Sequence, residues 1–180
     1  MARPQEPPPG ILIVSVIYSS LDALADALQA LEKRFGRVQY ETMEIECTVA
    51  KNYSEEMGDN LIRRFFSFER LISRAALPEI KAQCARIEAQ YSDQVEDVIF
   101  RTVNIDPGVL CETNLVMAGY RDLKHRVYLR DEVYAEMALI YHHNHWARLP
   151  WTPPDFYDDE AVDFFDRTRA SFEFVEAGKS

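Results

Sequence analysis

The sequence lacks the features that would mark a secreted, membrane-bound or nucleic-acid-coating protein. Its three cysteines, Cys47, Cys84 and Cys111, are odd in number and widely spaced, with no C-x-x-C pair. Neither a disulfide framework nor a zinc knuckle is suggested, and a reducing cytoplasm is the expected compartment. No stretch approaches the roughly 18 apolar residues of a membrane span, so no membrane association is expected. The opening "MARPQEPPPGILIVSVIY" has one early arginine and a short apolar run, but prolines interrupt it and no small-residue cleavage site follows, so a signal peptide is not read there.

Basic charge is also short. Twenty Lys and Arg face thirty Asp and Glu, a formal charge of −10, which opposes non-specific nucleic-acid binding because that depends on cations that displace phosphate counter-ions. The acid gathers late, in Asp155, Asp158, Asp159, Glu160, Asp163 and Asp166, and reads as the solvated face of a final amphipathic helix. No nucleophile elbow, H-E-x-x-H, Rossmann glycine pattern or EF-hand loop is present, and no cofactor is assigned.

What is there is a domain-sized chain. At 180 residues it can bury roughly two thirds of its unfolded surface in one core. Residues 1–10 read as a disordered proline-rich tail, and 11–180 as a single α+β domain: a mixed, mostly antiparallel sheet of about six strands with three to four helices. "ILIVSVIYSS" is a buried strand. Leu21, Leu24, Leu28 and Leu31 fall at helical spacing, with Ser20 as N-cap and Gly36 past the end. "RVQYETMEIEC" alternates with a parity switch that predicts a bulge near residues 41 and 42. From Ser54 the pattern reads helical, with Leu61, Ile62, Phe65, Phe68 and Ile72 on one side, and Pro78 opens another helix to about Tyr91. "VEDVIFRTVNIDPG" is a strand ending in a Pro107-Gly108 turn. Strands near 114–120, 125–129 and 133–141, a return at 145–149 and a helix over 159–176 complete the chain.

Three-residue loops with a left-handed third residue order the late hairpins. In the first, 129 faces 133 and 126 faces 136, which puts Val127, Leu129, Val133, Ala135, Met137 and Leu139 on one apolar face. Arg126, Tyr128, Tyr134 and Glu136 share the other. In the second, Tyr141 faces His145, and His142, His143 and Asn144 form the loop. Imidazoles on a hairpin tip lack a convergent third ligand, so no metal site is assigned there.

"NYSEEMGDNLIRRFFSFERLI", "VNIDPGVL", "HRVYLRDEVYAE" and "LPWTPPDF", in this order and spacing, resemble the uncharacterised bacterial family grouped as domain of unknown function 4416. The resemblance covers nearly the whole chain after the proline tail and singles out Glu56, Met57 and Gly58, then Asn104, Asp106, Pro107 and Gly108. It continues with His125, Arg126, Tyr128, Leu129, Tyr134 and Glu136, then Trp151, Thr152, Pro154 and Asp155. The chain departs from the family pattern at Glu132, where glycine is usual, and at Pro153 and Phe156, where tyrosines are usual. The resemblance implies no characterised activity. A GTP-binding label used for some members finds no phosphate loop here: the closing "AGKS" has Glu173 where the first glycine belongs and no helix after it.

The candidate ligand-binding residues are Arg126, Tyr128, Tyr134, Glu136 and Arg148 on the polar, aromatic strand face, with Trp146 extending it, and Asn104 and Asp106 on a neighbouring strand end. Arginines on rigid strands can hold an anion or phosphate in a fork while aromatic rings stack on a planar group. His125 is an acid or base by type, but alternation puts it opposite Arg126, and Glu56 reads as a helix-dipole partner only. The leading expectation is a small-molecule domain for an anionic or nucleotide-like ligand, with catalysis left open. The alternative is a non-catalytic module whose aromatic face or acidic last helix meets a partner protein.

Overall fold

The computed structural model describes residues 3, 5–95 and 98–177, so that the 96–97 link of one expected strand and the final 178–180 lie outside it. Among the described residues eleven strands run in chain order: β1 Gly10–Tyr18, β2 Val38–Glu41, β3 Ile45–Glu46, β4 Ile62–Ile72, β5 Ser92–Val95, β6 Val98–Arg101, β7 Val103–Leu110, β8 Asn114–Gly119, β9 Val127–Arg130, β10 Val133–His142 and β11 His145–Arg148. The helices are α1 Leu21–Phe35, α2 Ser54–Met57, α3 Leu77–Glu88 and α4 Asp159–Ala177. The main sheet is ordered β11-β10-β8-β7-β1-β4-β2, with β3 attached to β4 and β9 to β10, and β5 with β6 forms a separate hairpin. The result is an α+β fold, and every pairing among the described residues is antiparallel.

β1 is central and buried at all nine positions, as its continuous β-branched run requires. Its even residues, Leu12, Val14 and Val16, pack under α1 and α3 with Leu24, Leu31, Ile80 and Cys84. On the other face Ile11 and Ile13 meet α4 through Phe65, Phe164 and Phe165. The sheet is therefore sandwiched, with helices on both faces. α1 starts where Ser20 Oγ accepts from the Ala23 amide and stops at Gly36, φ +100°.

Four sequence expectations change. The segment around Phe65 is not helical: α2 stops after four residues, and β4 runs from Ile62 to Ile72. Phe65, Phe68 and Ile72 do sit at helical spacing, but Phe65, Phe66 and Phe68 are all fully buried, and a strand covered on both faces produces the same spacing. Misreading this strand, and reading β5 to β7 as one, is why about six strands were expected. Second, the parity switch at 41–42 is a break between β2 and β3, not a bulge.

Third, Pro107 and Gly108 lie inside β7, opposite Val14 and Ile13, and make no turn. Fourth, the late hairpins close through two-residue loops. Asp131 and Glu132 (φ +52° and +63°) and then His143 and Asn144 (φ +49° and +62°) are left-handed pairs, the form that matches strand twist. His142 consequently faces His145 and Tyr141 faces Trp146, one step from the expected register. In the first hairpin an irregularity after Val133 restores the expected frame, with Tyr134 facing Tyr128 and Ala135 facing Val127. The expected apolar face holds only in part: Val133 and Leu139 are buried, but Val127 and Leu129 on β9 and Met137 are exposed, and a second irregularity between Met137 and Leu139 lies beside Ala138, which is buried instead.

Candidate functional site

β7 has two unlike edges. Against β1 it pairs continuously from Val103 to Leu110, but against β8 only over Gly108 to Leu110. On the β8 side the Cys111 amide still donates to Asn114 O (2.8 Å), and two pairs further back stands Pro107, which has no N–H to offer. Gly108 marks the point of closest approach, where a Cβ would lie 2.7 Å from Val116 O and 2.4 Å from Met117 Sδ. Beyond Pro107 the strands part.

Into that fork α3 sends two charged side chains. The Ile105 amide, facing where β8 would have been, donates to Glu88 Oε1, and Lys81 Nζ donates to Ile105 O (2.9 Å) and to Asp106 Oδ1 (2.8 Å). Side chains thus replace a strand in satisfying a buried peptide. Burial opposes the charge of Lys81, but Asp106 and Glu88 outweigh it and hold its pKa above the lysine range. Burial likewise pushes Asp106 up, and is overcome by Lys81 and the Asn104 amide, so its carboxyl lies below the usual range. Glu88 goes the other way: burial raises it more than Lys81 lowers it.

The fork opens into a cleft of about 460 Å³, floored by β4 and β7, and walled by the 49–56 segment, the 119–126 loop and the 151–156 loop. Arg63 lies deepest, donating to Ser15 Oγ and, at 2.7 Å, to Asp155, whose side chain is fully buried. Asp155 is therefore no part of a solvated acidic face, as the late acidic run suggested; Glu160 accepts from the Met43 amide, and Asp163 pairs with Arg167 on the surface. Arg101 binds Glu56 (2.7 Å) and Asn104 (2.9 Å), so Glu56 serves as an ion-pair partner across the cleft and not only at a helix end. The guanidinium groups of Arg101 and Arg121 lie 5.6 and 5.7 Å from the Tyr53 ring, and burial first of all pushes the Tyr53 pKa up to about 12.

At the mouth, Arg126 grips Glu136 with Nε and Nη2 at 3.1 Å each, and His125 Nε2 meets the same carboxylate at 2.7 Å. The expected separation of His125 from Arg126 does not hold, because both precede β9, where no strand alternation applies. The His125 ring also stacks on Trp151 at 5.1 Å and 10°. Gly119 makes room for Arg126, whose Nη1 would be 2.7 Å from a Cβ there.

Of the candidate ligand-binding residues, Asn104, Asp106, Arg126 and Glu136 line this cleft, and so do Glu56, His125 and Trp151 from the family resemblance. Tyr128 and Tyr134 continue the same strand face outside its lining, as an edge-to-face pair at 5.4 Å. Arg148 is exposed on β11, and Trp146 is a buried core residue. Sequence reading missed Lys81, Glu88, Arg101, Arg121 and Tyr53. For the first two a signal existed: both fall on the stripe that carries Leu77, Cys84 and Ile87, and a charge in an apolar stripe must be paired. The three tip histidines are exposed, with rings 4.9 and 5.0 Å apart, and no group of three or more His, Cys, Asp or Glu among the described residues is placed to hold a metal. No described helix is long and apolar enough to cross a membrane.

A search among curated proteins gives no match. The family model described as Domain of unknown function (DUF4416) matches residues 8–172, and the protein belongs to that family.

Proposed function

We propose that the cleft binds a small anionic ligand, phosphate- or carboxylate-bearing and nucleotide-like in size, with Arg121 as its anchor. The observation that carries this reading is the difference between Arg121 and the other lining cations. Arg63, Lys81, Arg101 and Arg126 each hold a carboxylate, whereas Arg121 pairs with none among the described residues and rests on the Tyr53 ring. A guanidinium with its fork of donors free suits a planar or tetrahedral anion. The paired charges shape the wall, and the volume falls in the usual range for small ligands of roughly 300–1,000 Å³. Tyr120 and Trp151 supply rings against which a planar group can lie.

Thermal-shift measurements with nucleotides, sugar phosphates and organic acids test this on the full chain. At least one anion should raise the melting temperature of the wild type, and Arg121→Ala should abolish that rise while leaving the unliganded melting point nearly unchanged. An equal response in Arg121→Ala, or no response to any of these classes, would contradict the reading.

One observation favours a second reading, a protein-interaction surface. Val127 (67 % exposed), Leu129 (40 %) and Met137 (38 %) lie uncovered on and beside the edge strand β9, where an apolar partner could dock. Concentration-dependent association that Val127→Lys removes would support it.

A further inference from the structure

The mouth of the cleft contains a carboxylate shared by a guanidinium and an imidazole. Arg126 alone engages both oxygens of Glu136, so the carboxylate's charge is already matched by a permanently protonated partner. A carboxylate only accepts, so His125 meets Glu136 as a hydrogen-bond donor through Nε2. The stack on Trp151 fixes the ring plane, and the bond to Glu136 fixes the rotation within that plane. Nδ1 has no hydrogen-bond partner among the described residues, and the ring lines the cleft with its side chain 16 % exposed. An imidazole oriented by a carboxylate through one nitrogen, with the other unbonded among the described residues and the ring lining a cleft, has the arrangement of a general base.

We infer that His125 is the proton-transfer residue of the cleft, positioned by Glu136, and that the ligand anchored at Arg121 carries a hydroxyl or amine within reach of Nδ1. This rests on the cleft being a ligand site. In the transfer the ligand's O–H or N–H bond breaks, an N–H bond forms at Nδ1, and the electron pair stays on the ligand. The imidazolium so formed lies against Glu136 and gives its proton back to product or water. The spacing along the chain suits such a division of labour: Arg121 and His125 belong to one short loop between β8 and β9, so one segment both anchors the anion and handles the proton.

The decisive property is a bare Nδ1, readable without any ligand. In full-length protein with ¹⁵N-labelled histidine, assigned by loss of the signal in His125→Gln, the His125 ring at mildly alkaline pH should show a protonated Nε2 and an unprotonated Nδ1. Diethyl pyrocarbonate, which acylates only unprotonated imidazole nitrogen, should modify His125 despite its half-burial. Glu136→Gln should weaken the tautomer preference and slow that modification several-fold, with the fold intact by circular dichroism. If that variant does not fold, the wild-type tautomer and reactivity decide alone. An imidazolium with both nitrogens protonated, an inert His125, or identical behaviour in Glu136→Gln would overturn the assignment. Arg121→Ala should leave all these readouts unchanged, so failure here and failure of the anion reading are separate results.

Discussion

The two edges of β7 differ in how completely they pair, and the polar chemistry follows that difference. Toward β1 the ladder closes over eight residues, and the Arg63–Asp155 pair beneath it, at the bottom of the cleft, is nearly sealed, with side chains 4 % and 0 % exposed. Toward β8 the ladder lasts three residues, and the charges of Lys81, Glu88 and Asp106 fill the gap while Asp106 keeps 27 % of its side chain exposed. A closed ladder turns buried charge into structure. An open one leaves it beside a space that a ligand can enter.

The sealed side should be the easier to damage. Asp155→Ala strands the Arg63 guanidinium among Phe65 and Phe156, whose rings lie 5.8 and 5.0 Å from it, and should cost about 3–5 kcal/mol in urea unfolding. Asp106→Asn, at the open edge, should cost clearly less; the reverse order would erase the distinction. Gly108→Val attacks the junction of the two regimes. The new side chain must displace the Val116 carbonyl and Met117, so a loss of about 1–3 kcal/mol is expected, and a neutral result would mean that the strands do not approach as closely as described.

Away from both edges, Glu132→Gly should stabilise the protein by up to about 1 kcal/mol, because φ +63° penalises a Cβ and glycine removes that penalty. The smallest effect is one of slope. Burial raises the folded-state pKa of Glu88, so its contribution to stability is full below the unfolded value near 4.5 and is lost as pH rises through the higher folded value. Glu88→Gln keeps an acceptor for the Ile105 amide without the ionisation. Its melting temperature should therefore gain on the wild type as pH rises from that value, whereas Asp106, depressed, acts in both proteins only on the acid side.

Where local pattern and tertiary context agreed, the sequence was sufficient. α1 with its caps, α3 from Pro78, β1, β8, β10 and α4 follow from spacing and turn chemistry alone, whereas the Arg126–Glu136 contact was expected from a three-residue loop and is reached instead through a two-residue loop and an irregularity after Val133. It misled where burial on two faces mimics a helix, as at Phe65 and Phe68, and where a proline inside a strand resembles a turn. Pro107 is tolerated because its missing donor points into the fork, a fact that depends on strands distant in sequence. The tip histidines drew attention by proximity along the chain. Lys81, Arg101 and Arg121 went unremarked, since three elements separated by tens of residues supply them and only the parting of β7 from β8 unites them.

At Ile105, α3 side chains take the place of a strand. Amide hydrogen exchange at that residue tests it most directly, comparing the wild type with Glu88→Ala. The account predicts slow exchange in the wild type and a large loss of protection at Ile105 in the variant, with the Cys111 amide, held by Asn114 in the closed part of the ladder, unaffected. Fast exchange at Ile105 in the wild type, or equal protection in both proteins, would contradict it.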